Sequence, residues 1–291
     1  VRVVKNRSLI VVYLAVILIL LAISLIIVLP VNSDYYVLNS SDMGHSELID
    51  QKALWITSIK TLRELNATRT LLIVARSRPL DSRDLEQIVE FTSRGGIVIT
   101  YGFKDFIESV LRGLGFEVTY LGVIRDPVFS KNSPLRVIVN LTVWNITLLL
   151  DTPYTYQVSR YSSSVDLLFT AYTSMFSYID ENVNELYDIG EPIGVFPVIY
   201  VVRINSGLII VICARGVFTN SVLGDNVDWL EYLAGGGRSV IIDQSEFKDN
   251  IPAYFKLLVF SSRGISPLYV LLASIIIAMV LYYVFYRERS A

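Results

Sequence analysis

The chain has 291 residues, 53% of them hydrophobic, and a mean hydropathy of +0.53, too apolar for an ordinary soluble protein. Its formal net charge is −2, and five of its 25 Lys and Arg lie in two short tails, so no basic stripe exists to hold nucleic acid. One cysteine and one histidine exclude a disulfide framework and a Cys/His zinc site.

Residues 1–8 form a basic tail carrying Arg2, Lys5 and Arg7. Residues 9–29, "LIVVYLAVILILLAISLIIVL", contain no charge and match the roughly 20 helical residues that cross a bilayer core of about 30 Å. A cleavable signal peptide has a shorter apolar core and a small-residue cleavage site, which Pro30-Val31-Asn32 does not provide, so an uncleaved anchor is expected. Residues 30–45 read as a polar linker. Residues 46–65 read as one helix with Ser46 as N-cap, from Leu48, Leu54, Trp55, Ile59 and Leu62. The apolar runs 70–75 and 97–102 have the character of central parallel strands. Between them a helix starts near Asp81 or Ser82 and stops at Gly95-Gly96. A helix over 104–114 and a strand over 116–122 continue the alternation expected of a parallel sheet covered on both faces.

Residues 127–203 break this pattern with β-branched and aromatic runs, expected to be antiparallel strands that insert into or flank the sheet. A hairpin at Asn205-Ser206-Gly207 leads into a strand over 208–214, a helix over 225–234 and a last strand over 239–243. The expected domain therefore covers 46–266. A second span follows at 267–286, ending in Tyr282, Tyr283 and Tyr286, side chains that favour the membrane interface. The tail 287–291 carries Arg287 and Arg289, and the positive-inside rule places both termini in the cytoplasm and the domain outside the cell membrane. Four sequons, at Asn39, Asn66, Asn140 and Asn145, fall in the outer segment and are expected glycan sites.

In an open α/β sheet, ligands bind beyond the carboxyl ends of the strands. Arg76, Arg215, Asn220, Asp225, Asn226, Asp243, Gln244 and Glu246 follow such ends and are the candidate ligand- or partner-binding residues. Each also has a local reading. Asp225, with Asp228, can cap the next helix; Asn220 suits a left-handed loop; Arg76 can pair with Asp81 or Asp84; Asp243 suits a strand-to-loop junction.

The segment "GLIIVICARGVFTNSVLGDNVDWLEYLAGGGRSVIIDQSEF" resembles the C-terminal part of a membrane-anchored family of unknown function from archaea and bacteria. "LLIVARSRPL…RGGIVITYG" is similar to that family's first βαβ unit. The resemblance implies a degenerate class I glutamine-amidotransferase-like, flavodoxin-like domain outside the membrane. It further implies an accessory role beside transporter ATPases. The family's last strand ends in Asp-Glu followed by His, whereas here Asp243, Gln244 and Glu246 stand without a histidine.

Amidotransferase chemistry needs a cysteine on a sharp, glycine-flanked elbow and a His-Glu pair. Cys213 lies inside the apolar run "VICARG" and His45 in the linker, so no catalytic residue is assigned. No Gly-x-Gly-x-x-Gly or Walker A occurs, and no cofactor is expected. Asp225, Asp243 and Glu246 carry oxygens of the kind that hold Ca²⁺ or Mg²⁺, and no metal is assigned to them. The expected protein is a non-enzymatic membrane-anchored binding or scaffold module with protein partners in the envelope. Its alternatives are an auxiliary subunit of an ABC-type transporter and a hydrolase using the acidic cluster.

Overall fold

The computed structural model describes residues 29–161 and 166–261, with 15–16, 18–22, 24–26, 275–277, 279–280 and 283. The chain divides into two units, one of residues 32–246 and one of residues 1–31 with 247–291. In the latter, Ile251–Ser261 is helical and the Lys256 ammonium donates to the Leu29 carbonyl. Among the described residues no helix is long and apolar enough to cross a membrane. The expected spans 9–29 and 267–286 fall largely outside the described residues.

The larger unit is a mixed α/β structure. In chain order it contains α1 (Ser46–Asp50), β1 (Leu54–Ile56), β2 (Thr70–Arg76), α2 (Ser82–Ser93), β3 (Ile97–Gly102), α3 (Lys104–Gly113) and β4 (Phe116–Arg125). Then follow β5 (Arg136–Leu141), β6 (Ile146–Tyr161), β7 (Asp166–Tyr172), β8 (Tyr178–Asp180), β9 (Pro197–Ile204) and β10 (Gly207–Ile212). β11 (Ala214–Gly216), α4 (Leu223–Ala234) and β12 (Ser239–Asp243) complete it.

The main sheet has seven strands in the order β1-β12-β2-β3-β10-β9-β7. Its first five are mutually parallel, whereas β9 pairs antiparallel with both β10 and β7. β2 is buried along its whole length, which explains why "TLLIVAR" has no polar alternation. Leu72, Val74, Val98, Ile209 and Val211 on one face pack with Leu85, Ile88 and Phe91 of α2 and Phe106 and Val110 of α3. The alternate residues Ile73, Ile99 and Ile210 are equally buried on the other face. There Tyr101 meets Phe218, which stacks on Trp229 of α4.

Asp81 caps α2 by accepting from the Asp84 amide at 2.7 Å, and Gly95 leaves the helix at φ +96°. The hairpin joining β9 to β10 turns where expected, with Asn205 at φ +52°. The inserted region is antiparallel. β4, β5, β6, β8 and β11 form a second sheet around the 16-residue β6, and β7 and β9 extend the first.

Three expectations need correction. The 46–65 helix is broken: Lys52 takes φ +63°, and Leu54–Ile56 pair with β12 as an edge strand before a 3₁₀ turn at Ile59–Arg63. Its apolar residues belong to three elements, so their spacing mimicked one helix face. The strand begun at Phe116 leaves the parallel sheet and pairs antiparallel with β6. Helix α4 starts at Leu223, two residues before Asp225, and its N-cap residue Val222 makes no side-chain cap.

Gly207 is held by close approach. A Cβ there would stand 2.1 Å from the Thr92 carbonyl oxygen and 2.4 Å from that of Gly96. We expect Gly207→Ala to lower unfolding stability by about 1–3 kcal/mol, read as a drop in urea midpoint, because backbone must move to admit the methyl group.

Candidate functional site

The parallel register of β2 and β12 brings their carboxyl ends together, and with them Arg76 and Asp243. The Arg76 guanidinium donates to Asp243 Oδ2 from Nε at 3.0 Å and from Nη2 at 2.7 Å. Nη2 also donates to Ser245 Oγ at 2.6 Å, and Nη1 faces Asp84 Oδ2 at 3.4 Å. Asp243 Oδ1 accepts from the Ser245 amide at 3.0 Å. The two charged side chains are only 7% and 0% exposed, so both are desolvated and each is the other's compensation. Beside them Glu246 accepts from the Ser77 hydroxyl at 2.6 Å and from its amide at 3.1 Å. Both contacts fall on Oε1 and tie the carboxylate to the loop that follows β2.

Three more predicted residues hold the segment 33–46, which is packed down rather than a loose linker. Tyr35, Tyr36, Val37 and Asn39 are buried. Gln244 accepts from the Val37 amide at 3.1 Å and donates to the Tyr35 carbonyl at 2.9 Å. Arg215 accepts the Tyr35 hydroxyl proton at its backbone carbonyl (2.8 Å), lies 4.4 Å over the Phe103 ring and reaches Asp34 at 3.4 Å. Asn220 donates to the carbonyls of Asn39 (3.0 Å) and Ser41 (2.8 Å) and accepts from the Glu47 amide at 3.1 Å. It does not adopt the left-handed backbone expected of it. The segment thus forms a strap across the rim, tied by side chains that sequence reasoning assigned to an external ligand.

On the strap's inner side His45 Nε2 lies 2.6 Å from the Tyr101 hydroxyl, with the Tyr35 ring edge-on to Tyr101 at 6.0 Å. Burial pulls the imidazole pKa down to about 3, opposed only by the Tyr35 backbone. Burial likewise raises the Tyr101 phenol well above its usual range. Cys213 is also buried, which pushes its thiol up and away from the reactive thiolate form.

Asn226 and Asp225 serve a different junction. Asn226 accepts from the Leu149 amide at 2.9 Å and donates to the carbonyls of Leu149 (2.8 Å) and Val217 (2.7 Å), mimicking a strand partner for β6. Asp225 pairs with Lys131. Both tie α4 to the inserted region and neither faces the rim cluster. Among the described residues no group of three or more His, Cys, Asp or Glu is placed to hold a metal ion.

The four sequons also separate. Asn39 is 2% exposed and fully engaged, donating to the Ser33 carbonyl and accepting from the Ser41 amide, each at 2.9 Å. Asn66, Asn140 and Asn145 are exposed.

Sequence reasoning gave Asp84 as a partner for Arg76 but missed the parts played by Tyr35, His45, Tyr101, Ser77 and Ser245. One signal was available: "YYV" inside a polar linker is a docking residue pattern rather than a linker pattern. A second surface went unnoticed. Buried Asp126 accepts from the amides of Val128 (2.9 Å) and Phe129 (2.7 Å) and from the hydroxyls of Ser174 and Ser177. Burial opposes its ionisation, but these bonds hold the carboxyl below its usual range. They also fix two loops whose Phe129 and Phe176 rings stack at 6.1 Å. Beside them lies a cleft of about 380 Å³, lined among others by Asn140, Val143, Phe169, Tyr172 and Ser174.

Two measurements test this reading. Asp243→Asn strands a buried guanidinium, so we expect a stability loss of about 3–5 kcal/mol in denaturant unfolding. Tyr101→Phe leaves the charges intact and should cost only about 1–3 kcal/mol, for the unpaired His45 nitrogen. His45 binds its proton in the unfolded chain near the ordinary imidazole pKa but in the fold only near about 3. Stability is therefore full above the unfolded value and falls as pH drops below it, by about 1.4 kcal/mol per pH unit down to the folded pKa. Above the carboxylate range this slope belongs to the chain's one histidine, and His45→Gln should abolish it in pH-dependent urea unfolding.

Comparison with curated proteins finds no match. Among solved structures, the exo-β-1,4-mannosidase Op5Man5 from Opitutaceae bacterium strain TAV5 aligns at 9% identity and TM-score 0.29, covering 57% of this chain and 24% of that one. A β-galactosidase from Bacillus circulans sp. alkalophilus aligns at 10% identity and TM-score 0.27, covering 56% of this chain and 23% of that one. At such TM-scores the likenesses carry no argument about fold or activity, and the chain spans about a quarter of either protein. The model of a domain of unknown function, DUF4350, matches residues 46–234, and the chain belongs to that family.

Proposed function

We propose that the protein is a non-enzymatic, membrane-anchored binding module whose domain lies outside the membrane as a degenerate, amidotransferase-like member of the flavodoxin-like class. The observation that carries this reading is the strap. The positions where such a sheet would take a ligand are filled by residues 33–46, and Gln244, Arg215 and Asn220 are spent on holding them. Asp243 is committed to Arg76, which argues against a hydrolase built on the acidic cluster.

The binding surface then lies on the inserted region. Met175, Phe176, Leu186, Ile189, Ile193 and Val195 are all exposed, Ile189 completely. Apolar groups gathered this way on a folded surface favour a protein partner. The loop that presents several of them is braced from inside. Asp180 accepts from the amides of Asn184 and Glu185 at 3.1 Å each, and Glu191 accepts from those of Glu181 (3.1 Å) and Asp188 (3.0 Å). A preordered loop loses little entropy on docking.

Cross-linking in native membranes followed by affinity capture of the full chain tests this. We expect Leu186→Asp with Ile189→Asp to abolish a cross-linked protein partner without moving the thermal midpoint. Retention of the partner by that variant, or its loss only when the rim residue Glu246 is changed, would overturn the assignment.

A further inference from the structure

We propose that the cleft between β5 and β7 is covered by an N-linked glycan carried on Asn140, an inference that rests on the external placement of the domain. Asn140 opens the sequon Asn140-Leu141-Thr142, and both Asn140 and Thr142 are exposed. Its Oδ1 accepts from the Thr147 hydroxyl at 2.8 Å, which fixes the amide and leaves Nδ2, the atom that is glycosylated, without a hydrogen-bond partner among the described residues. Asn145 sits on the same hairpin but outside the cleft lining, and the hydroxyl of its own sequon, on Thr147, is the one given to Asn140. Asn39 is buried.

Asn140 itself lines the cleft of about 380 Å³, so a sugar linked to Nδ2 begins its path at the mouth. The lining suits a neutral saccharide. Phe129, Phe169 and Tyr172 offer ring surface for the C–H face of a pyranose, and Thr142 and Thr170 offer hydroxyls to its rim. No charged side chain lines it, so nothing there would repay burial of a phosphate or a carboxylate. Uncovered, the cleft leaves Tyr172 and Phe129 at 50% and 44% exposure, beside Val143 at 63%. A tethered sugar arrives at high effective concentration, so weak stacking suffices to hold it.

Attachment requires a lipid-phosphate-activated oligosaccharide and a separate transferase. The Nδ2–C1 bond forms as the C1–O bond to the phosphate breaks, and the amide releases one proton.

The test is glycopeptide mass spectrometry of the full chain from a glycosylating host, with hydroxyl-radical footprinting of Tyr172. We expect Asn140 to be occupied, and Tyr172 labelling to rise several-fold in Asn140→Gln and in Thr142→Ala, which removes the sequon but keeps the amide. Asn66→Gln should leave it unchanged. Occupied Asn140 with Tyr172 labelling indifferent to the glycan overturns the proposal. So does a bare Asn140 beside a glycosylated Asn66 or Asn145. Three bare sequons overturn it by a different route, since the external placement then fails first.

Discussion

Arg76 and Asp243 leave water together, and much of the domain follows from that. A guanidinium and a carboxylate buried at 7% and 0% exposure are tolerable only with near-complete hydrogen bonding. That requirement fixes β2 against β12, recruits Ser245 and Asp84, and turns the chain after β12 so that Gln244 faces the strap. The pair adds less to net stability than its geometry suggests, because desolvation offsets most of the attraction. Its effect is on uniqueness: a register shifted by one residue would bury one charge alone.

The strap extends the same logic along the rim. Strand ends in an open sheet expose polar groups, and a ligand or a loop must satisfy them. Here the loop comes from the chain's own N-terminal side, inserting Tyr35 and His45 beside Tyr101. The remaining edges of the two sheets are blunted in other ways. β1, β8 and β11 are three residues long, and β7 carries register irregularities at Leu167/Phe169 and Ala171/Tyr172. Short or irregular edges discourage strand pairing with another chain.

Much of the parallel sheet was legible in the sequence, because continuous apolar runs such as 70–75 and 97–102 carry their own evidence of double-sided burial. So were the Asp81 cap and the turn at Asn205, which depend on local chemistry. The 46–65 region was misread because spacing cannot register a left-handed residue at Lys52. At the site, the residue list reached the right end of the sheet but not the roles. Arg76 and Asp243 are 167 positions apart, and Gln244 and Tyr35 are 209 apart. Composition near one partner says nothing about the other, so a group tied to its own chain and a group waiting for a ligand look alike until the contacts are seen.

The burial of Asn39 has a consequence for the order of events in folding. In the fold its amide is enclosed by Ser33 and Ser41, and Asn220 grips its carbonyl. Any group attached to Asn39 before folding would therefore keep the strap from seating, and with it Tyr35 and His45 from packing beside Tyr101. The strap's docking and modification of Asn39 are mutually exclusive, and the closed domain arises only from molecules in which that side chain is bare.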